Sequence, residues 1–279
     1  VTDHATGAPS SPDLAERHLA WFAYNGADDS ADDSRWAGGD TFLNTTGRSD
    51  YDAGGARNLS AATLMRWYGA VDEQKAPYIN DASMGAPDAA LRTQSDVHVQ
   101  NVMFLPEPNM YTWQEHEGGS PTLEHRRDPS AVDAIKTCLM ENGVVDVSFY
   151  ADNAITNNMT GRGTWNPATS AYFYSKTTDN AEMLANHEVS IIGWDDSFSR
   201  TNFSTQPEGD GAWIVKNSWG SGASGHQDGC FYLSYYDTSF SNPTSYQAEQ
   251  ATYDADGTDH AYDGIYQYDG VGIGETGFT

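Results

Sequence analysis

Two short segments decide the fold, Ala185-Asn-His-Glu-Val-Ser-Ile-Ile-Gly-Trp-Asp195 and Gly211-Ala-Trp-Ile-Val-Lys-Asn-Ser-Trp-Gly220. In the first segment His187 opens an apolar run typical of a strand, and in the second Asn217 ends another such run. An imidazole is a common general base, and a carboxamide oxygen accepts from the ring N–H without adding charge. The two segments therefore predict a base and its orienting partner, with Trp219 as an apolar cover over their hydrogen bond.

A base oriented in this way serves a thiol nucleophile well, because the imidazole takes the thiol proton and an ion pair persists. The chain has two cysteines, Cys138 and Cys230. Cys138 falls in the apolar stripe of a predicted helix, where a thiol packs in a core and is inert. One bridge between the two cysteines and two free thiols both remain open.

The charge of the chain is extreme, with 40 Asp and Glu against 14 Lys and Arg, for a net charge of -26. Such a surface repels phosphates, which argues against binding to nucleic acid or to anionic membranes. No run of 18 apolar residues is present, so no membrane span is expected. The acidity indicates either solubility or the attraction of basic protein substrates.

Helices precede strands along the chain, and this order predicts an α+β fold. Helices are expected over 13–24, with Asp13 as a cap, and over 60–69. A third helix should begin after Asp128 with Pro129 and stop at Gly143. The domain boundaries are expected to give 1–127 as a helical domain with long loops, 128–245 as a β-rich domain, and 246–279 as a C-terminal extension.

The segments 185–195 and 211–220 resemble the catalytic-histidine strand and the Asn-Ser-Trp-Gly signature of the papain family of cysteine peptidases. Weaker resemblance is carried by Gly229-Cys-Phe-Tyr-Leu-Ser234 and Asp13-Leu-Ala-Glu-Arg-His-Leu19, and by Gly54-Gly55. The resemblance covers roughly 13–240. It implies a papain-like two-domain fold, with a helical left domain and an antiparallel, β-barrel-like right domain.

The resemblance also implies roles, taken position by position. His187 would act as base and then acid, Asn217 would orient it, and Trp219 would shield their bond. Gly54 and Gly55 match the stretch whose backbone pairs with substrate, where a side chain would obstruct. The other matches to substrate-binding positions, near the pocket for the second residue before the scissile bond (P2), are Ala56, Glu188 and Val189.

The family's nucleophilic cysteine lies on a central helix that precedes the segment matching 13–19, and nothing upstream of Asp13 supplies it. The fold is therefore expected to be incomplete without the segment that carries this helix. We expect this chain to be the larger fragment of a secreted or cell-surface peptidase. Its partner would be a cleaved N-terminal fragment that carries the cysteine, and its substrate would be a peptide or protein.

Other interpretations remain open. The chain could be a catalytically dead surface-binding or adhesion module that retains the fold, or a metal-dependent hydrolase that uses His116 or His125. No cofactor is predicted, although the acidic stretches 28–33 and 254–259 suggest either calcium loops or plain turns. The segment 262–270 resembles the entry into a lectin-like domain that follows the peptidase in some bacterial surface members.

Overall fold

The computed structural model describes residues 12–25, 46–79, 84–115, 117–119, 122–157, 163–175, 185–220 and 228–250. Several sequence predictions fall outside these described residues: both acidic stretches, His116, and the lectin-like segment 262–270. The chain divides into two compact units, a first unit of 1–102 with 247–279 and a second unit of 103–246.

Four α-helices and ten strands occur in the described residues. The α-helices are α1 (Glu16–Tyr24), α2 (Arg57–Met65), α3 (Pro129–Asn142) and α4 (Asn153–Thr156). Short 3-10 helices lie at Asp50–Asp52, Ala89–Leu91 and Arg200–Asn202. The strands are β1 (Val97–Phe104), β2 (Asn109–Gln114), β3 (Thr122–Arg127), β4 (Val145–Phe149), β5 (Trp165–Asn166), β6 (Ala171–Tyr172), β7 (His187–Asp195), β8 (Ala212–Lys216), β9 (Cys230–Ser234) and β10 (Ser241–Gln250).

Eight of these strands form one sheet in the order β1-β10-β4-β7-β8-β9-β6-β5, and β2 and β3 form a separate hairpin. The central pairs β4–β7, β7–β8 and β8–β9 are antiparallel, whereas β6 and β9 are parallel. A large, mostly antiparallel sheet combined with few helices confirms the predicted α+β class.

The core of the second unit lies on one face of this sheet. Along β4, Val145, Val147 and Phe149 are fully buried, and along β7 the same face carries Val189 and Ile191. The intervening residues point to the opposite face, as the two-residue period of a strand requires. This alternation places His187, which has the parity of Val189, on the face of the core.

Helix α3 covers that core as the sequence predicts. The Asp128 carboxylate accepts a hydrogen bond from Ser130 N at 3.0 Å, and Pro129 opens the helix. Gly143 ends it in the left-handed conformation at φ 86°, which glycine adopts without strain. The predicted cap, start and stop of α3 are confirmed.

The predicted boundaries of the first two helices are wrong. Helix α1 starts at Glu16 rather than 13, because Leu14 forms a β-bridge with Asp72 and Ala15 N donates to Val71 O at 2.9 Å. Asp13 is therefore not a cap, and its carbonyl instead accepts from Glu73 N.

Helix α2 spans 57–65 rather than 60–69. It begins directly after Ala56, and it cannot continue past Trp67, whose φ of 58° is left-handed, or Gly69, whose φ is 86°.

In the described residues, no helix is long and apolar enough to cross a membrane.

One half-buried carboxyl group on the sheet makes stability depend on pH. Asp146 lies on the face of β4 opposite the core and accepts from Ser190 Oγ at 2.9 Å. Burial raises the pKa of Asp146 from its usual 3.8 to about 6; nearby Glu188 adds to this rise, and the Ser190 bond opposes it. Between these two pH values the folded chain holds a proton that the unfolded chain releases, so the free energy of unfolding falls as the pH rises.

We predict that Asp146→Asn raises the free energy of unfolding by roughly 1–3 kcal/mol at about pH 8 and changes it little near pH 4. The amide cannot ionise, yet its oxygen still accepts from Ser190. Chemical denaturation at both pH values checks this, with the exposed Asp133→Asn on α3 as the matched control. A loss of stability at the higher pH would contradict the prediction.

Candidate active site

The two strands at the centre of the sheet bring His187 and Asn217 together. Ser190 on β7 pairs with Lys216 on β8 in antiparallel register. His187 begins β7, and Asn217 is the residue after the last residue of β8. Continuing the same register past the strand end places Trp219 opposite His187. The register of these two strands therefore brings the three side chains close together.

His187 Nε2 lies 2.9 Å from Asn217 Oδ1. The backbone N–H of Ser218 donates to the same oxygen at 2.8 Å. An N–H group only donates, so the atom that it meets must be the carboxamide oxygen, and His187 Nε2 must then be the donor. The neutral ring consequently carries its proton on Nε2 and presents Nδ1 as the basic nitrogen.

Aromatic rings hold the imidazole on two sides. The Trp219 ring stacks on it with centroids 4.9 Å apart and planes 27° apart. Phe149 meets it edge-on at 5.7 Å and 63°. Phe149 is fully buried and Trp219 is 36% exposed, so one ring belongs to the core and the other is in contact with solvent.

The same surroundings favour the neutral ring. Burial lowers the pKa of His187 below its usual 6.5, and the hydrogen bond to Asn217 opposes that shift. Asn217 is itself buried, and its backbone N–H donates to Gly229 O at 2.9 Å. A partly desolvated imidazole with one oriented N–H is well placed to take a proton from a nearby acid and return it.

Asn186 anchors the start of β7, a feature that sequence reasoning missed. Its Oδ1 accepts from Ala151 N at 2.8 Å, and its Nδ2 donates to Ala151 O at 3.1 Å. Its backbone N–H donates to Phe149 O at 3.1 Å. These three bonds tie the residue before His187 to the end of β4. The only sequence signal for them is a polar amide placed next to the histidine.

Glu188 and Val189 point to opposite faces of β7. Glu188 is exposed, and its carboxylate accepts from Ser148 Oγ at 3.2 Å. Val189 is 4% exposed and packs in the core beside Ile191. Contact of either residue with a substrate stays a prediction.

The remaining predicted substrate-binding residues lie in the first unit. Gly54, Gly55 and Ala56 are all exposed, and Gly54 has a left-handed φ of 84°. Ala56 precedes α2, and its carbonyl accepts from Leu59 N at 2.9 Å. In the part of the chain that the structure describes, neither glycine has a heavy atom beyond its adjoining residues within 4 Å of the point where a side chain would begin.

Neither cysteine is placed to meet the imidazole. Cys138 is 5% exposed within the core, and its sulfur accepts from Asn142 Nδ2 at 3.3 Å. Cys230 pairs with Lys216, which pairs with Ser190, so it lies two strand spacings, roughly 10 Å, from β7. Cys230 also faces away from the core, because its neighbour Phe231 points into it. Both thiols are free.

Of the two histidines considered for a metal site, His125 lies in the described residues and His116 lies outside them. His125 lies on β3, and its Nε2 is 3.0 Å from Asn109 Oδ1. Within the described ranges, no group of three or more His, Cys, Asp or Glu side chains is arranged to hold a metal ion.

Comparison with known proteins gives matches at the level of family and fold. A family model described as the papain family cysteine protease matches residues 48–247. No significant match is found among curated proteins.

The solved structures that are similar to this chain include the following two. One is the crystal structure of the cysteine protease and lectin-like domains of Cwp84, a surface layer associated protein of Clostridium difficile. It is 22% identical with a TM-score of 0.60, over 87% of this chain and 43% of that chain. The other is a clostridial Cwp84 variant after propeptide cleavage, 23% identical with a TM-score of 0.58, over 87% of this chain and 48% of that one. The chain thus spans less than half of each structure, and at these identities the likeness shows the fold.

The proton on Nε2 is directly observable. For the polypeptide 1–279, in which neither cysteine lies beside the ring, we predict that proton–nitrogen correlation NMR at about pH 8 finds His187 neutral with its proton on Nε2, and that imidazolium forms only below the usual pKa of 6.5. In Asn217→Ala the preference for Nε2 should be lost, because its acceptor is gone. A proton on Nδ1 in the unmodified protein would contradict the assignment.

Proposed function

The chain belongs to the papain family of cysteine proteases, and we propose that it supplies the base and the orienting residue for peptide-bond hydrolysis. His187 acts as general base and then as general acid, and Asn217 orients its ring. Trp219 shields the bond between them. The observation that carries the proposal is the 2.9 Å contact between His187 Nε2 and Asn217 Oδ1, which leaves Nδ1 as the basic nitrogen.

The proposed chemistry follows from that arrangement. His187 Nδ1 takes the proton of a cysteine thiol, and the thiolate attacks the substrate carbonyl carbon. The imidazolium then gives its proton to the leaving amine as the C–N bond breaks, which leaves an acyl-thioenzyme. Water, deprotonated by the same nitrogen, hydrolyses the thioester and regenerates the thiol. Asn217 stabilises the imidazolium without contributing charge.

We place the nucleophile on polypeptide outside residues 1–279. Cys138 is enclosed in the core, and Cys230 lies on the opposite face of the sheet from the imidazole. The partner in this proposal is an N-terminal fragment of the same precursor that carries the cysteine and stays bound after cleavage. The substrates are peptides or proteins.

The alternative function is a non-catalytic binding module, and the absence of a cysteine beside His187 in the described residues is the observation that favours it. For either function we propose a secreted or cell-surface location. Support comes from the similar structure of a surface layer associated protein and from the net charge of -26.

Two variants test the proposed roles in the complete, cysteine-bearing protein. We predict that His187→Ala lowers kcat/KM for a fluorogenic peptide by about 100-fold or more, the usual range for a lost general base. Asn217→Ala should lower kcat roughly 10- to 150-fold, because a hydrogen bond to a charged group is worth about 1.5–3 kcal/mol. Steady-state kinetics measures both.

Retention of full activity by either variant would contradict these roles. An unmodified protein that neither hydrolyses peptides nor reacts with a thiol-directed peptidyl epoxide would favour the binding module. The variant Asp133→Asn, at an exposed position on α3, is the control for effects of purification and folding on the measured rates.

Glu188 matches a family position near the P2 pocket, and we propose that its exposed carboxylate favours a basic P2 residue. We expect Glu188→Gln to lower kcat/KM about three- to tenfold for a peptide with Arg at P2 and to leave a Leu peptide unchanged. The control is Glu141→Gln, which removes an equal charge from the end of α3. An equal fall in kcat/KM for both peptides would contradict a contact between Glu188 and the P2 residue.

A further inference from the structure

Residues at the end of α1 hold residues 50–52, which precede Gly54, in place. Asn25 Nδ2 donates to Asp50 Oδ2 at 2.7 Å and to Trp21 O at 2.9 Å. The rings of Trp21 and Tyr51 also pack together, with centroids 5.7 Å apart. The 3-10 helix Asp50–Asp52 is thereby fixed to the end of α1 by both polar and aromatic contacts.

Tyr24 extends this attachment to the glycine pair itself. Its hydroxyl donates to Gly54 O at 3.2 Å. A Gly-Gly step has no side chains to pack and loses much conformational freedom when it is ordered. The left-handed φ of Gly54 and the Tyr24 hydroxyl together set the direction of the peptide group that joins Gly54 to Gly55.

That peptide group is planar and trans, so its C=O and N–H point in opposite directions. With Gly54 O turned toward Tyr24, the Gly55 N–H points away from α1. No hydrogen bond in the described part of the chain uses the Gly55 backbone. Among the described residues, no heavy atom beyond the adjoining residues lies within 4 Å of where a Gly55 side chain would begin, so they leave this side of the segment open.

An open, oriented N–H on an exposed segment is what an extended peptide needs to pair with a protein backbone. We propose that Tyr24, supported by Asn25, is a positioning residue for peptide substrate: it aims the Gly55 N–H at a substrate carbonyl. This role rests on the proposed function. It acts on binding of the extended substrate backbone, and no part of the proton transfer at His187 depends on it.

The test is Tyr24→Phe in the active protein, assayed on a four-residue fluorogenic peptide and on one with a single residue before the scissile bond. Losing one net hydrogen bond should raise KM for the longer peptide about three- to tenfold, with kcat unchanged. KM for the short peptide should not move. The matched control is Tyr51→Phe, which removes a neighbouring hydroxyl that donates to Gly85 O at 2.8 Å instead.

The outcomes separate this role from the proposed function. An active protein in which Tyr24→Phe behaves like Tyr51→Phe overturns the positioning role alone. A matching rise in KM for both peptides also overturns it, because the effect would then be general destabilisation. Absence of hydrolysis in the unmodified protein would overturn the proposed function and this role together.

Discussion

The hydrogen bond from His187 Nε2–H to Asn217 Oδ1 is the interaction on which the site depends, since it decides which ring nitrogen is basic. Its direction is fixed by a backbone group: Ser218 N–H needs an acceptor, and the carboxamide oxygen is that acceptor. A neutral carboxamide suits this task, because its oxygen accepts from the ring N–H of the imidazole and of the imidazolium without adding charge. The Trp219 ring stacks on the imidazole, and we propose that this contact shields the bond from water.

The paired strands fix the distance and orientation of this hydrogen bond. Antiparallel pairing of β7 with β8 sets the separation of the two side chains, and pairing of β4 with β7 places Phe149 under the imidazole. The side chain of Asn186 then fixes the start of β7, where His187 lies, through its hydrogen bonds to the Ala151 backbone. A site built on paired strands, with its supporting contacts fixed by hydrogen bonds, holds geometry better than a site on loops.

The sequence predicts most reliably where structure is locally determined. Cap, proline and glycine chemistry sets the ends of α3, and all of it lies within a few residues. The predicted start of α1 is wrong because Leu14, which was expected to lie in the helix, instead forms a long-range β-bridge with Asp72. The bond from Tyr24 to Gly54 crosses 30 residues, and no periodicity signals it. Placing Cys230 away from His187 required the register of three strands, which composition and spacing do not supply.

The central claim is that the imidazole is set to activate a thiol that residues 1–279 do not provide. The most direct measurement treats the complete protein with a peptidyl epoxide and locates the modified cysteine by mass spectrometry. The expected result is one labelled cysteine on a peptide outside residues 1–279, with labelling lost in His187→Ala. A label on Cys138 or Cys230, or labelling that does not need His187, would contradict the claim.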